Sequence, residues 1–248
     1  MHSTKQVIFF GFIMCTVVAL VLAGLFNVLK PIHVKNEQIY NKKAILAAVK
    51  EHLETDFSTL TGDQVEEIFG GQIDQIAVDT YGNELSKEDI QEAGYQNGNA
   101  ESIDMSKEVK KAEEDRILPV FIFTSGGGDK FYILSTRGKG LWDDIWGNIA
   151  FEDDLNTIAG VSFDHAAETP GLGAEIKDNK AWSKQFTGKK IYGADGEFKS
   201  VYVRKGGARD EVYEVDGISG ATITADGVTA MLENGLRLYE PYLQTVRG

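Results

Sequence analysis

The chain has 248 residues, of which 42% are hydrophobic, and a formal charge of −13. All 38 acidic residues follow position 36, so the surface repels phosphate backbones and no nucleic acid is expected as a partner. One cysteine, Cys15, excludes an intrachain disulfide or a Cys-held iron–sulfur or zinc centre; the four histidines (His2, His33, His52, His165) lack ligand spacing, so no metal site is expected.

From Val7 to Leu29 the chain carries no charge. At 1.5 Å per residue this stretch spans a hydrocarbon layer of about 30 Å. A cleaved signal peptide has an apolar region of only about 7–15 residues, and no small-x-small site follows here. A retained transmembrane helix over 7–29 is therefore expected. Lys5 is the only basic side chain before it, whereas Lys30, Lys35, Lys42 and Lys43 follow, so the basic count alone places the following domain in the cytoplasm.

Residues 36–54 predict an amphipathic helix, separate or continuing the membrane helix outward, with Ile39, Ile45, Leu46, Val49 and Leu53 near helical spacing. Thr61–Phe69 predicts a short helix stopped by Gly70 and Gly71, and Ile73–Thr80 a strand. Residues 82–115 are polar, acidic and rich in Asn and Gln, which predicts a surface insertion or mobile loop. Leu118–Thr124 and Lys130–Thr136 flank Ser125–Asp129 as a hairpin, and Ile145–Phe151 with Thr157–His165 predict a second antiparallel pair. A helical stretch near Lys180–Phe186, strands at Ser200–Arg204 and Asp210–Val215, and a helical tail over Ala225–Leu243 complete the pattern. Val228, Met231, Leu232, Gly235, Leu238 and Tyr239 form one face of that tail. The expected fold is α+β: a single N-terminal transmembrane helix, then a mostly antiparallel sheet-and-helix domain. The expected division is an anchor at 1–30, a helical linker with the first elements and the polar insertion at 31–116, and a ligand-binding domain at 117–248.

Three short strings carry chemistry. Asp216-x-x-Ser219-Gly220-Ala221-Thr222 leaves a strand and enters the C-terminal helix. Thr224 as N-cap would put Thr222 just ahead of backbone N–H groups and a helix dipole that favour phosphate. Gly220 and Ala221 allow a bulky group to approach while leaving the Thr222 hydroxyl accessible. Glu168-Thr-Pro-Gly-Leu-Gly173 is, by its physics alone, a proline–glycine turn. It is no dinucleotide fingerprint, because position 176 is Ile. Gly138-Lys-Gly-Leu-Trp142 lacks the Ser or Thr of a P-loop, and Trp146 stands one helical turn beyond Trp142; aromatics here are more often core than ligand partners.

The longer threonine string resembles the flavinylation signal of the FMN-binding domain family, in which the last threonine is esterified by the FMN phosphate. The resemblance implies covalent FMN on Thr222, with Asp216, Ser219, Gly220, Ala221 and Thr224 around it. The second string is similar to the loop against the flavin ring in that family, which implies contacts from Glu168, Thr169, Leu172 and Gly173. The third adds Leu141 and Trp142. In the family a separate flavin transferase installs the group from FAD outside the cytoplasmic membrane.

The three motifs, their order, the N-terminal helix and the length resemble the C-subunit of the Na⁺-translocating NADH:quinone reductases. That resemblance implies a one-electron relay from an iron–sulfur centre on other membrane subunits to a second flavin, and so toward quinone, coupled to Na⁺ export. The NADH, quinone and Na⁺ sites would then lie on partner subunits, and no acid–base catalyst is expected on this chain. It also implies a flavin domain facing the periplasm from the bacterial inner membrane, against the basic count. The G-subunit of the Rnf-type ferredoxin:NAD⁺ oxidoreductases shares the helix, domain and threonine signal. A reading of another class is a membrane-tethered binding module without cofactor, for which Thr222→Ala would be silent.

Overall fold

A computed structural model of the protein describes residues 3–247, so His2 lies outside the described residues. The chain divides between Asn41 and Lys42 into two units. The first is dominated by helix α1 (Thr4–Leu46), which contains an 18-residue window of mean hydropathy 2.7, none of it buried. It is the one helix among the described residues that is long and apolar enough to cross a membrane. Proline interrupts helices by removing a donor and crowding the carbonyl four residues back, yet α1 runs through Pro31. Of the two arrangements expected for the amphipathic stretch from residue 36, the structure shows the continuous one, as far as Leu46. No glycine stands between Leu29 and Leu46 to end one helix and let another begin.

In the second unit, α1 ends with Ile45 and Leu46 buried, and Ala47–His52 tightens into a 3₁₀ turn. Helix α2 (Gly62–Gln72) starts at a capping box. Thr61 accepts from Gln64 N, and the Gln64 side chain accepts from Thr61 N at 2.9 Å. Gly70 and Gly71 do not stop it as expected: nothing crowds them, and α2 passes straight into the sheet at Ile73.

The sheet is an antiparallel meander of β1 (Ile73–Asp79), β2 (Ile117–Thr124), β3 (Lys130–Lys139), β4 (Asp144–Phe151) and β5 (Ile158–His165), in that order. Both expected hairpins form, with Phe123 opposite Phe131 and Ile149 opposite Val161. Alternation along each strand feeds two faces. Val120, Leu134 and Ile149 lie side by side and share one core with Val228, Leu232 and Leu236. On the other face Phe121 meets Phe69 (ring centroids 5.8 Å) and Phe131 meets His52 (4.1 Å).

Residues 82–115 are neither a bare insertion nor an unstructured loop. They form α3 (Lys87–Glu92), α4 (Met105–Glu108) and two 3₁₀ turns. Ile90, Tyr95 and Ile103 build a small core against Ala77 of β1 and Ile117 of β2. Fully buried Glu108 accepts from Ile117 N at 2.9 Å and from the Tyr95 hydroxyl, and pairs with Lys111 at 2.8 Å. A few well-placed anchors order the segment despite its polar composition.

After β5 come α5 (Glu175–Asp178) and α6 (Lys180–Lys184), whose Trp182 packs with Phe163 and Phe186. Strands β6 (Tyr202–Arg204) and β7 (Glu214–Asp216) form a separate parallel pair, shorter than expected. The expected single helical tail is two helices, α7 (Thr222–Arg237) and α8 (Glu240–Arg247). Helix α7 lies very close over β3. A Cβ on Gly138 would stand 2.8 Å from Met231 Cβ, one on Gly235 2.8 Å from Thr136, and one on Gly227 2.2 Å from Lys139 O. Positions 227, 231 and 235 repeat every four residues and so share a helix face. Tyr239, fully buried, sets its hydroxyl 3.0 Å from Pro119 O and 2.9 Å from Ser135 O, fastening the chain after α7 to β2 and β3.

Candidate functional site

Two of the three chemistry-bearing strings and part of the third meet at one buried carboxylate. Glu168 is 4% exposed. Its Oε1 accepts from Trp142 N at 2.9 Å, and its Oε2 accepts from the Thr224 hydroxyl at 2.7 Å. Its own N–H donates to His165 Nδ1 at 3.1 Å, closing the turn after β5. Trp142 Nε1 also donates to Thr169 Oγ1 at 3.1 Å. The turn following β3, the Pro–Gly turn following β5 and the first turn of α7 are thereby held together.

Glycines make this convergence possible. A Cβ on Gly140 would stand 2.4 Å from Glu168 Oε1, and one on Gly173 would stand 2.2 Å from Glu168 Oε2 and 2.7 Å from Thr224 Oγ1. Gly220 has φ +74°, a backbone that side chains resist, and a Cβ there would meet Leu172 Cδ2 at 2.7 Å.

Thr222 is the first residue of α7, and Ala221 with φ −124° is its N-cap. This corrects the expected role of Thr224 as cap: Thr224 lies inside the first turn, and its hydroxyl is taken up by Glu168. No side chain caps the helix. The bond from Ala225 N to Ala221 O, at 2.9 Å, is the first of the helical ladder. The N–H groups of 222–224 therefore precede the helical ladder at the positive end of a 16-residue helix. Thr222 itself is partly exposed. On the same gathered segments Leu141 (45% exposed), Trp142 (67%), Leu172 (42%) and Ile223 (58%) present large apolar surface to solvent. An uncapped helix start suits a phosphate, the exposed apolar side chains suit a flat aromatic ring, and Gly220 permits close backbone approach, so the residues present fit a phosphate-bearing flavin.

Not every predicted residue joins this cluster. The Asp216 side chain accepts from Ala208 N at 2.8 Å, and its backbone is fastened to α6 through Trp182 (2.6 Å) and Gln185 (3.0 Å), so it shapes the approach from β7. Ser219 is an exposed turn residue. Trp146 stands in strand β4 rather than a helical turn from Trp142, with Arg137 stacked 4.9 Å over its ring. Beside Gly140, the hydrogen bond from Lys139 holds the Asp144 carboxyl below the usual carboxylate range; burial opposes this, and Arg137, at 2.9 Å, assists. Ile223 and the gathering role of Glu168 are not among the sequence-based expectations. Ile223 is legible as the apolar residue off the Val228–Leu232 face, once the helix is started at Thr222. A cleft of about 620 Å³ lined by His52, Asp129, Phe131 and Glu152 shares no residue with this cluster. Among the described residues no three His, Cys, Asp or Glu side chains group as a metal site.

Residues 140–237 match the family model of the FMN-binding domain. The chain is 31% identical over 244 residues to the C-subunit of the Na⁺-translocating NADH-quinone reductase of Pseudomonas aeruginosa, covering 93% of this chain and 90% of the relative. The C-subunit of Pasteurella multocida is 28% identical, covering 93% and 89%. A crystal structure of the C-subunit from Parabacteroides distasonis superposes with a TM-score of 0.72 at 34% identity, over 87% of this chain and 96% of that one. NqrC of Shewanella oneidensis, at 23% identity and a TM-score of 0.67 over 86% and 98%, shares the fold. On this identity, sustained over nearly the whole of both chains, the protein belongs to the C-subunit family of the Na⁺-translocating NADH-quinone reductases.

Proposed function

We propose that this chain is the FMN-carrying electron-transfer subunit of a Na⁺-translocating NADH:quinone reductase, with FMN esterified to Thr222. The observation that carries this reading is the placement of Thr222. It opens an uncapped helix on one of the segments gathered by Glu168, which together carry exposed Leu141, Trp142, Leu172 and Ile223. Family membership supports the choice of complex over the Rnf-type alternative.

Thr222 supplies the anchoring oxygen. The N–H groups of the first turn of α7 would hold the phosphate, and Leu172, Trp142 and Leu141 would offer apolar surface to the flavin ring, with Thr169 and Gly173 shaping the turn between them. In loading, the Thr222 Oγ–phosphorus bond forms as the pyrophosphate bond of FAD breaks; AMP leaves, and the hydroxyl proton is lost to solvent. Bound there, FMN supplies one-electron transfer between an iron–sulfur centre and a second flavin held by partner subunits. Helix α1 anchors the chain in the inner membrane, 31–116 supply the helical linker and the first elements, β1 of the sheet among them, and the flavin domain at 117–248 stands on the periplasmic side, where the transferase works.

Electrophoresis under denaturing conditions tests the linkage. After co-expression with a flavin transferase, the chain is expected to carry flavin fluorescence in the gel, and Thr222→Ala to lose all of it while keeping its fold. Fluorescence retained by Thr222→Ala sinks the assignment.

A further inference from the structure

We propose that Glu168 is a positioning residue for flavin attachment: its buried carboxylate ties the turn at 140–142 to the first turn of α7 and so fixes the conformation in which Thr222 accepts the flavin phosphate. This rests on the reading of Thr222 above. A carboxylate that is 4% exposed is costly to bury without a cationic partner, and none within ion-pairing distance is found among the described residues. What it has instead is one donor on each oxygen. Trp142 N reaches Oε1 from 26 residues away, and the Thr224 hydroxyl reaches Oε2 across 56.

The surroundings are shaped to this group. Gly140 and Gly173 stand where any side chain would collide with its oxygens, at 2.4 and 2.2 Å. The tie ends on Thr224, two residues beyond Thr222 in the same helical turn. With both oxygens engaged and almost no surface, Glu168 acts on the acceptor hydroxyl only through Thr224 and Trp142.

The test is the initial rate of covalent flavin incorporation into the full-length chain in detergent, with FAD and a flavin transferase, read by in-gel fluorescence. Glu168→Ala is expected to slow incorporation at least ten-fold with its circular dichroism spectrum intact. Glu168→Gln keeps an acceptor for Trp142 N and a partner for Thr224, and is expected to recover most of the lost rate. Thr224→Val cuts one arm and is expected to lose several-fold. Incorporation into Glu168→Ala at the wild-type rate overturns the proposal, as does Glu168→Gln falling as far as Glu168→Ala. Should Glu168→Ala not fold, Thr224→Val decides, a wild-type rate overturning the tie and a several-fold loss supporting it. Absence of incorporation into the wild-type chain, with a transferase active on another substrate, removes the Thr222 reading itself and the tie with it.

Discussion

Gly227 shows how a single hydrogen atom decides a contact. Inside α7 an alanine would gain about 1 kcal/mol of helix propensity. Its Cβ, however, would stand 2.2 Å from the backbone carbonyl oxygen of Lys139, which cannot swing aside as a side chain would. Overpacking typically costs about 1–3 kcal/mol, so the clash prevails. Gly227→Ala is expected to lower the melting temperature of the detergent-solubilised full-length chain, and a raised one would mean that α7 is not seated this close. Asp144 gives a pH dependence. Its folded value lies below the ordinary 3.8, chiefly through the Lys139 hydrogen bond. A depressed carboxylate contributes stability above its unfolded pKa and loses it as pH falls through the folded one. The contribution of Asp144 is therefore expected to be complete above about pH 4 and to disappear below it, and melting curves of Asp144→Asn should show a shallower acid limb. At this scale part of the candidate cluster is legible in the sequence: the Gly-Leu-Trp and Glu-Thr-Pro-Gly-Leu-Gly strings name residues that the fold brings together. The junction at Glu168 is not, because its partners lie 26 and 56 residues away and only the fold brings them together.

Among the elements, the strands β2 to β5 are the easiest to see, since they are short runs rich in apolar, β-branched and aromatic residues separated by turn residues. β6 and β7, three residues each, are too short to show a period. The order of the stretch at 82–115 is hidden in the sequence because it comes from widely spaced anchors and one buried charge rather than from a periodic face. That charge gives a test. Breaking a buried ion pair by removing one member leaves the remaining groups unsatisfied and costs about 3 kcal/mol. Glu108→Ala strands Lys111, Tyr95 and Ile117 N at once. It is expected to destabilise the domain by about that amount and to open 82–115 to limited proteolysis, whereas the wild-type segment resists cleavage. Equal cleavage of both would mean that the carboxylate does not hold the segment.

For the whole molecule, the basic count around α1 and the proposed attachment of FMN pull in opposite directions. Four lysines follow the apolar stretch and one precedes it, whereas the proposed loading of Thr222 by an extracytoplasmic transferase would require the domain to be exported. Positive charge biases orientation without dictating it. A Gly127→Cys substitution in the exposed β2–β3 turn, made in a Cys15→Ser background, is expected to react with a membrane-impermeant maleimide in intact spheroplasts. Reaction only after permeabilisation would place the domain in the cytoplasm, out of reach of the transferase. The linkage at Thr222 is tested most directly by intact-mass spectrometry of the full-length chain, co-expressed with a flavin transferase and denatured beforehand, beside Thr222→Ala. The expected result is a gain of one FMN less one water, mapped by peptide analysis to Thr222 and absent from the variant. An unmodified mass despite an active transferase, or an adduct that persists in Thr222→Ala, would contradict it.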